Sequence, residues 1–171
     1  MDMIIEQNIA DLCGQLKDHR LPRWEEIPDL DLYMDQVLNL IRRYLISYPG
    51  FEETGITSSM VNNYVKAGLL PPPYRKRYTR EHVARLFMTC ILKNSLPIAM
   101  IGKIFDDQYE RNEEMVVLYN GFCDKFERIS ELSVEGHLSA ANDSVTDIIL
   151  SAALRAHAEQ SLAQKLCEEC L

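Results

Sequence analysis

The sequence predicts an all-α protein that is mainly helical, with one minimal β-ribbon. Apolar residues recur at three- and four-residue spacing over most of the chain, which is the pattern of amphipathic helices. The clearest interruption is residues 71–73, three consecutive prolines, which can neither continue a helix nor donate to a strand ladder. We therefore expect an extended path there, with residues 74–78 pairing against it as a short two-stranded ribbon lying on the helices.

Composition limits both the size and the class of the protein. The chain has 171 residues, 47% hydrophobic and 26% charged, which suits one domain, or a small domain with a helical extension. No apolar run reaches the roughly eighteen residues that a bilayer span requires, and the N-terminus lacks the basic start of a signal peptide. We expect a cytoplasmic protein. Its five scattered cysteines predict reduced thiols rather than a disulfide framework.

Charge is sorted along the chain. The net charge is −8, yet residues 56–104 hold eight lysines and arginines against Glu81 alone, a local net charge of +7. Residues 1–55 carry −6 and residues 105–171 carry −9. This sorting predicts that the middle third faces an anionic partner, whose kind the charge does not identify.

The first third is predicted to contain two helices. Apolar spacing indicates a helix over residues 3–18 and another over residues 29–48, whose first turn is acidic as the helix dipole favours. The proline-bracketed connector between them contains Trp24, which we interpret as an anchor on the core. A ring that stacks on a ligand is the alternative interpretation of Trp24.

The next helix carries most of the functional signal. Thr57 or Ser58 is a suitable N-cap, and Gly68 is suited to end the helix in the left-handed conformation. Between them, Met60, Val61, Tyr64 and Val65 form the predicted inward face. The opposite face is polar, and three consecutive basic residues follow within ten positions.

The remaining helices follow from their caps and apolar stripes. Thr79 caps a helix ending near Asn94, and Pro97 opens a short helix that ends near Phe105. Another helix is predicted over residues 109–132.

The last helix begins at a capping box of Ser144 and Asp147 and runs towards the C-terminus. At about 1.5 Å per residue it reaches some 40 Å, longer than a small domain needs, so we expect a homodimer through the C-terminal helices.

A polar helix face close to basic residues is what a module needs to contact base edges and phosphates together. The sequence therefore predicts a helix-turn-helix that binds duplex DNA with helix 57–67 and a basic wing at 74–78. The candidate DNA-binding residues are Thr57, Ser58, Ser59, Asn62, Asn63, Lys66, Arg75, Lys76, Arg77, Tyr78 and Arg80.

Two stretches carry a family resemblance: ITSSMVNNYVKAGLLPP, and KRYTREHVARLFMTCILKNSLPIAMIGKIF. Together, over about residues 56–106, they resemble the winged helix-turn-helix domain of MerR-type regulators. The resemblance implies a recognition helix, a wing and two further helices in this order. Where the MerR pattern usually has an arginine on the key helix, this sequence has Ser59 and Asn62, and asparagine can read adenine bidentately.

A second resemblance includes LPRWEEIPDLDLYMDQV and covers nearly the first hundred residues. This part of the chain resembles an uncharacterised bacterial family of unknown function that carries the same MerR-like core. We expect the whole chain to be organised in three parts. Residues 1–55 complete the helix-turn-helix, residues 56–106 form the DNA-binding core, and residues 107–171 form a C-terminal extension for dimerisation.

Other chemistry has weaker support. Cys167 and Cys170 are compatible with a metal or thiol sensor, but four ligands are wanted, and two ordinary thiols at a helix end is the preferred interpretation. The histidines are scattered and there is no glycine-rich phosphate loop, so we expect no enzyme, cofactor or metal. Two hypotheses remain: a homodimeric transcription regulator that binds duplex DNA, and a non-enzymatic adaptor that uses the same face for an acidic protein.

Overall fold

The computed structural model describes residues 3–49, 51, 55–138 and 144–171. Within these ranges the fold is mainly α-helical. The helices are α1 (Met3–Asp18), α2 (Met34–Leu45), α3 (Ser58–Lys66), α4 (Arg80–Leu92), α5 (Ile98–Glu110), α6 (Met115–Leu138) and α7 (Val145–Glu169), with a 3-10 turn at Trp24–Glu26. In this part of the chain no helix combines the length and the apolar character needed to cross a bilayer.

Helix α4 lies at the centre of the fold. Eight of its thirteen residues are buried, because apolar side chains occupy most of its circumference. It packs against α2, α5 and α6, while α1 lies on α6, α3 on α2, and α7 on α5. One hydrophobic core extends from Leu21 to Phe126 and draws on all three predicted segments.

The predicted start and stop of α3 are confirmed. Thr57 is the N-cap, and its Oγ1 accepts a hydrogen bond from the backbone N–H of Met60 at 3.2 Å. Gly68 has φ +78°. The N–H of Leu69 then reaches the carbonyl of Tyr64 at 3.0 Å, which satisfies a helix-end carbonyl as in a Schellman motif.

The predicted start of the second helix at Asp29 is wrong. Helix α2 begins at Met34, because Leu32 is held in an extended pairing with Tyr78. Two backbone hydrogen bonds join this pair, from Leu32 N–H at 2.9 Å and from Tyr78 N–H at 2.8 Å. The carbonyl and N–H of Leu32 are thus already used where the helix was expected.

The ribbon also pairs differently from the prediction. Residues 74–78 do not pair with the proline path, whose residues have no N–H to donate. Two isolated antiparallel bridges form instead, Leu32 with Tyr78 and Tyr74 with Arg77, and the described residues contain no longer strand.

The helix predicted over residues 109–132 is divided between α5 and α6. Helix α5 continues to Glu110 and ends because Asn112 takes the left-handed conformation, with φ +52°. The N–H of Glu113 returns to the carbonyl of Gln108 at 3.1 Å, closing the helix end as Gly68 does for α3. By contrast, the capping box of α7 forms as predicted, with Asp147 N–H donating to Ser144 Oγ at 3.2 Å.

Candidate nucleic-acid interface

The outward face of α3 is polar and free of acidic side chains. Ser59, Asn62, Asn63 and Lys66 follow the i, i+3, i+4, i+7 spacing and are all exposed. Val61 and Tyr64 occupy the opposite side and are buried, which fixes the rotation of the helix on the core. The helix therefore presents one continuous polar stripe that ends in a cation.

This stripe is available for an external partner. Among the residues that the structure describes, the side chains of Ser59, Asn62 and Asn63 make no hydrogen bond. Each asparagine amide offers two donors and one acceptor oxygen, the set that can pair with an adenine edge. Ser58 is exposed on the first turn, whereas the hydroxyl of Thr57 is used by the N-cap.

A tight turn presents two cations a short distance along the chain. Arg75 and Lys76 have φ of +49° and +62°, and they connect the paired residues Tyr74 and Arg77. Two successive left-handed residues are characteristic of a type I′ hairpin turn, which normally selects asparagine and glycine. Here the turn holds two exposed basic side chains at a conformational cost, an outlier of the kind found at functional sites. We call residues 74–77 the basic turn.

Two predicted contact residues are held by the protein itself. The guanidinium of Arg77 donates to the Tyr33 hydroxyl at 2.8 Å and lies 4.4 Å from the centre of that ring. Arg80 lies 5.6 Å from the Trp24 ring and 3.6 Å from a carboxylate oxygen of Asp29. The guanidinium groups of Arg77 and Arg80 are thus held by contacts with other residues of the protein and do not project freely into solvent.

Tyr78 is not part of the exposed surface, so its prediction as a contact residue is corrected. It is 3% exposed, and its ring lies edge-on to His82 with 5.5 Å between the ring centres. Its backbone pairing with Leu32 anchors the C-terminal side of the basic turn.

The remaining cations of the middle third have internal partners. Arg85 pairs with Glu81 at 2.9 Å, and Lys93 donates to the carbonyl of Gly55 at 2.8 Å. Lys103 donates to the carbonyl of Cys167 at 3.0 Å. Within the described ranges, Lys66, Arg75 and Lys76 are the members of this basic group with no ion pair or hydrogen bond to another residue. The site is thus the α3 stripe together with the basic turn.

His82 holds the chain between the α3 stripe and the basic turn. The sequence did not indicate this role, because its histidines are scattered. Its Nε2 lies 3.0 Å from the carbonyl oxygen of Pro71, and its Nδ1 lies 3.0 Å from the backbone N–H of Thr79. Burial lowers the pKa of His82, against a smaller opposite effect of the hydrogen bond to Pro71. A histidine three residues after a threonine N-cap is the signal that could have identified it, by analogy with the capping box.

The cysteines lie outside this site. Burial raises the pKa of Cys90 to about 12 and that of Cys123 to about 11, so both remain protonated thiols at neutral pH. Cys167 is buried and Cys170 is exposed. In the part of the chain that is described, no three metal-ligating side chains come together.

Comparison with known proteins places residues 22–122 in a family model described as "Domain of unknown function (DUF1836)". The matched region contains α3, the basic turn, His82 and the first turns of α6. No curated protein and no solved structure matches the chain.

Proposed function

This chain belongs to the DUF1836 family, a domain of unknown function, and we propose that it is a DNA-binding transcriptional regulator. In this proposal it is a cytoplasmic, non-enzymatic protein that uses a MerR-like winged helix-turn-helix and needs no cofactor. Two free surfaces within one stretch of the chain carry the proposal: the acid-free polar stripe of α3 and the strained basic turn that follows it.

Helix α3 acts as the recognition helix and lies in the major groove, which admits one α-helix. Asn62 and Asn63 read base edges, and Ser58 and Ser59 contact phosphate or sugar oxygens near the start of the helix. Lys66 meets the phosphate backbone at the other end. The Schellman motif at Gly68 ends the helix directly after Lys66 and Ala67, so the polar stripe ends at this cation.

The basic turn acts as a minimal wing. Arg75 and Lys76 neutralise phosphates on the flanking backbone, and this sequence-independent contact supplies affinity. Tyr33 behind Arg77, and Asp29 with Trp24 behind Arg80, keep the base of the wing in a fixed position. Preorganisation of this kind lowers the conformational entropy lost on binding.

The regulator works as a homodimer joined through its C-terminal helices. Helix α7 is 25 residues long, yet Cys167 is its one buried residue. Its exposed apolar side chains are Ile149, Leu150, Leu154, Leu162 and Leu166. In the proposal a second copy covers this surface and removes it from water. The two α3 helices must then lie about 34 Å apart to enter successive major grooves.

Selection of bound duplexes from a random pool tests base reading by α3. The wild type is expected to enrich a two-fold symmetric site with half-site centres about 10 base pairs apart. Asn62→Ala should relax the preference at one position of each half-site by about 1–3 kcal/mol. Enrichment of no sequence, or identical preferences in the variant, would contradict base reading by this helix.

One observation favours the alternative of an adaptor that binds an acidic protein. Lys66, Arg75 and Lys76 are a small electrostatic footprint, since most other cations of the middle third are satisfied internally. A dimer doubles this footprint, and for that reason DNA is the preferred partner. An acidic peptide that binds the monomer more tightly than duplex DNA binds the dimer would support the adaptor.

A further inference from the structure

A concave site lies at the C-terminal end of α4, whereas the basic turn precedes its N-terminal end. It is a cleft of about 470 Å³ between the C-terminal part of α4, the middle of α6, and Leu16 of α1. That volume lies within the range of pockets that hold small organic ligands. We call it the Lys125 cleft, after the one basic residue that lines it.

Three aromatic rings form one wall of the cleft. The Tyr48 and Phe126 ring centres are 5.3 Å apart, and Phe122 stacks against Phe126 at 6.5 Å with 24° between the ring planes. Their mutual packing fixes the rings, so the wall exists before any ligand binds. Such a wall suits the apolar body of a ligand, because burying apolar surface is favourable and the rings lose little freedom on binding.

The polar groups of the cleft favour a single negative charge. The described residues that line the cleft include no aspartate or glutamate, and among them Lys125 has no carboxylate partner. Ser95, Ser130 and Ser133 add three hydroxyl groups that can donate hydrogen bonds. His19 packs behind the wall, 5.1 Å from Tyr48 between ring centres, and burial lowers its pKa, so it contributes no second cation at neutral pH.

The cleft continues into a larger space. Ser95, Ile129 and Ser133 also line the gap between α6 and α7, which has a volume of about 640 Å³. On the α7 side this gap is lined by the small side chains of Ala152, Ala156 and Ala163 and by the polar residues Arg155, Glu159 and Gln160. A ligand with an extended apolar chain therefore has room beyond the aromatic wall.

We propose that the Lys125 cleft binds an amphipathic monocarboxylate, whose carboxylate pairs with Lys125 and whose apolar chain lies along the aromatic wall towards the α6–α7 gap. The proposal concerns a site separate from α3 and the basic turn. It does not depend on DNA binding, and it is tested without DNA.

Isothermal titration calorimetry with decanoate, decanol and decylamine, each below its micellar concentration, tests the charge preference of the site. Decanoate should bind most tightly and decylamine most weakly. Lys125→Met keeps an unbranched side chain, one atom shorter, and removes its charge. Because the ion pair with Lys125 is exposed to solvent, this variant should weaken decanoate by roughly two- to fivefold and leave decanol unchanged.

Arg128→Ala is the matched control, since it removes one positive charge from the same helix without altering the lining of the cleft. Its decanoate affinity should equal that of the wild type. The proposal is overturned if decanoate fails to bind the wild type, if decylamine binds equally well, or if Arg128→Ala weakens decanoate as much as Lys125→Met does. Lys125 is exposed, so thermal unfolding should show that both variants remain folded.

Discussion

The imidazole Nε2 of His82 donates a hydrogen bond to the carbonyl oxygen of Pro71, 3.0 Å away, and so joins the start of α4 to the chain that leaves α3. A carbonyl can only accept, so Nε2 carries the proton and Nδ1 is left to accept from the backbone N–H of Thr79. The neutral imidazole satisfies both neighbours. A doubly protonated ring would place its Nδ1 proton against the backbone N–H of Thr79, and Nδ1 would then have to donate to the Thr79 hydroxyl, 2.8 Å away, instead.

This arrangement predicts that stability depends on pH. Burial lowers the pKa of His82 in the folded state, so as pH falls the unfolded chain binds the proton first. The stabilisation is complete above the unfolded pKa of about 6.5 and is lost progressively below it. The urea-unfolding free energy of the wild type should therefore be lower at pH 5.5 than at pH 7.5.

Two variants separate His82 from the other buried histidine. His82→Gln removes one titrating group and should reduce the fall in unfolding free energy between these pH values. His19→Gln should also reduce this fall in unfolding free energy, by an amount of its own, because burial lowers the pKa of His19 as well. If His82→Gln leaves the pH dependence unchanged, the assigned neutral state of this imidazole is wrong.

Gly68 tests the end of α3. A Cβ at this position would meet no atom within 4 Å, so the cost of Gly68→Ala arises from the φ of +78° alone. We expect about 1–2 kcal/mol of destabilisation. Gly102→Ala is the matched control in α5, where the new Cβ would lie 4.0 Å from Leu69 Cδ1, an ordinary contact. This variant should be more stable than the wild type by about 0.5–1 kcal/mol, because alanine favours a helix more than glycine does. Chemical denaturation measures both, and equal effects would contradict the role of Gly68.

The left-handed conformation of Arg75 and Lys76 in the basic turn is expected to lower the stability of the protein. Replacing Arg75 with Asn and Lys76 with Gly supplies the residues that a type I′ turn prefers. Loss of the Arg75 contact with the Tyr74 ring, 5.1 Å away, costs about 0.5 kcal/mol at such an exposed site, while relief of two left-handed residues is larger. The double variant should be more stable by about 1 kcal/mol, measured by urea unfolding. A less stable variant would mean that these cations stabilise the fold.

The exposed side of α7 predicts self-association. Sedimentation equilibrium at tens of micromolar should give twice the mass of the 19.7 kDa chain. Leu150→Gln with Leu154→Gln should shift the protein towards monomer, because both side chains are more than half exposed in the single chain. A monomeric wild type would remove the dimer from the proposed function.

The sequence indicated the helices best where a cap or a stop residue acts locally. Thr57, Gly68 and Ser144 each control backbone groups within a few residues, and their roles match the structure. The late start of α2, at Met34 and not at Asp29, could not be predicted from local residues. It depends on Tyr78, a backbone partner far away in sequence that withdraws Leu32 from the helix.

The same limit applies to the candidate site. The charge pattern located the basic third, but it could not tell which cations the fold would use internally. Arg77 is held by Tyr33, and Lys103 by a carbonyl in α7, both partners remote in sequence. Similarly, the polar face of α3 followed from helical spacing, whereas the left-handed conformation of Arg75 and Lys76 has no local signal, since neither residue favours it.

The most direct test of the proposed function is the salt dependence of binding to random duplex DNA, followed by fluorescence anisotropy between 50 and 200 mM salt. If a dimer contributes Lys66, Arg75 and Lys76 from each chain, a plot of log K against log salt should have a slope of about −5. The Arg75→Asn, Lys76→Gly variant should flatten it by about 3 to 4 while remaining folded, and Arg128→Ala should leave it unchanged. Failure to bind DNA at 50 mM salt, or an unchanged slope in the double variant, would contradict the proposal.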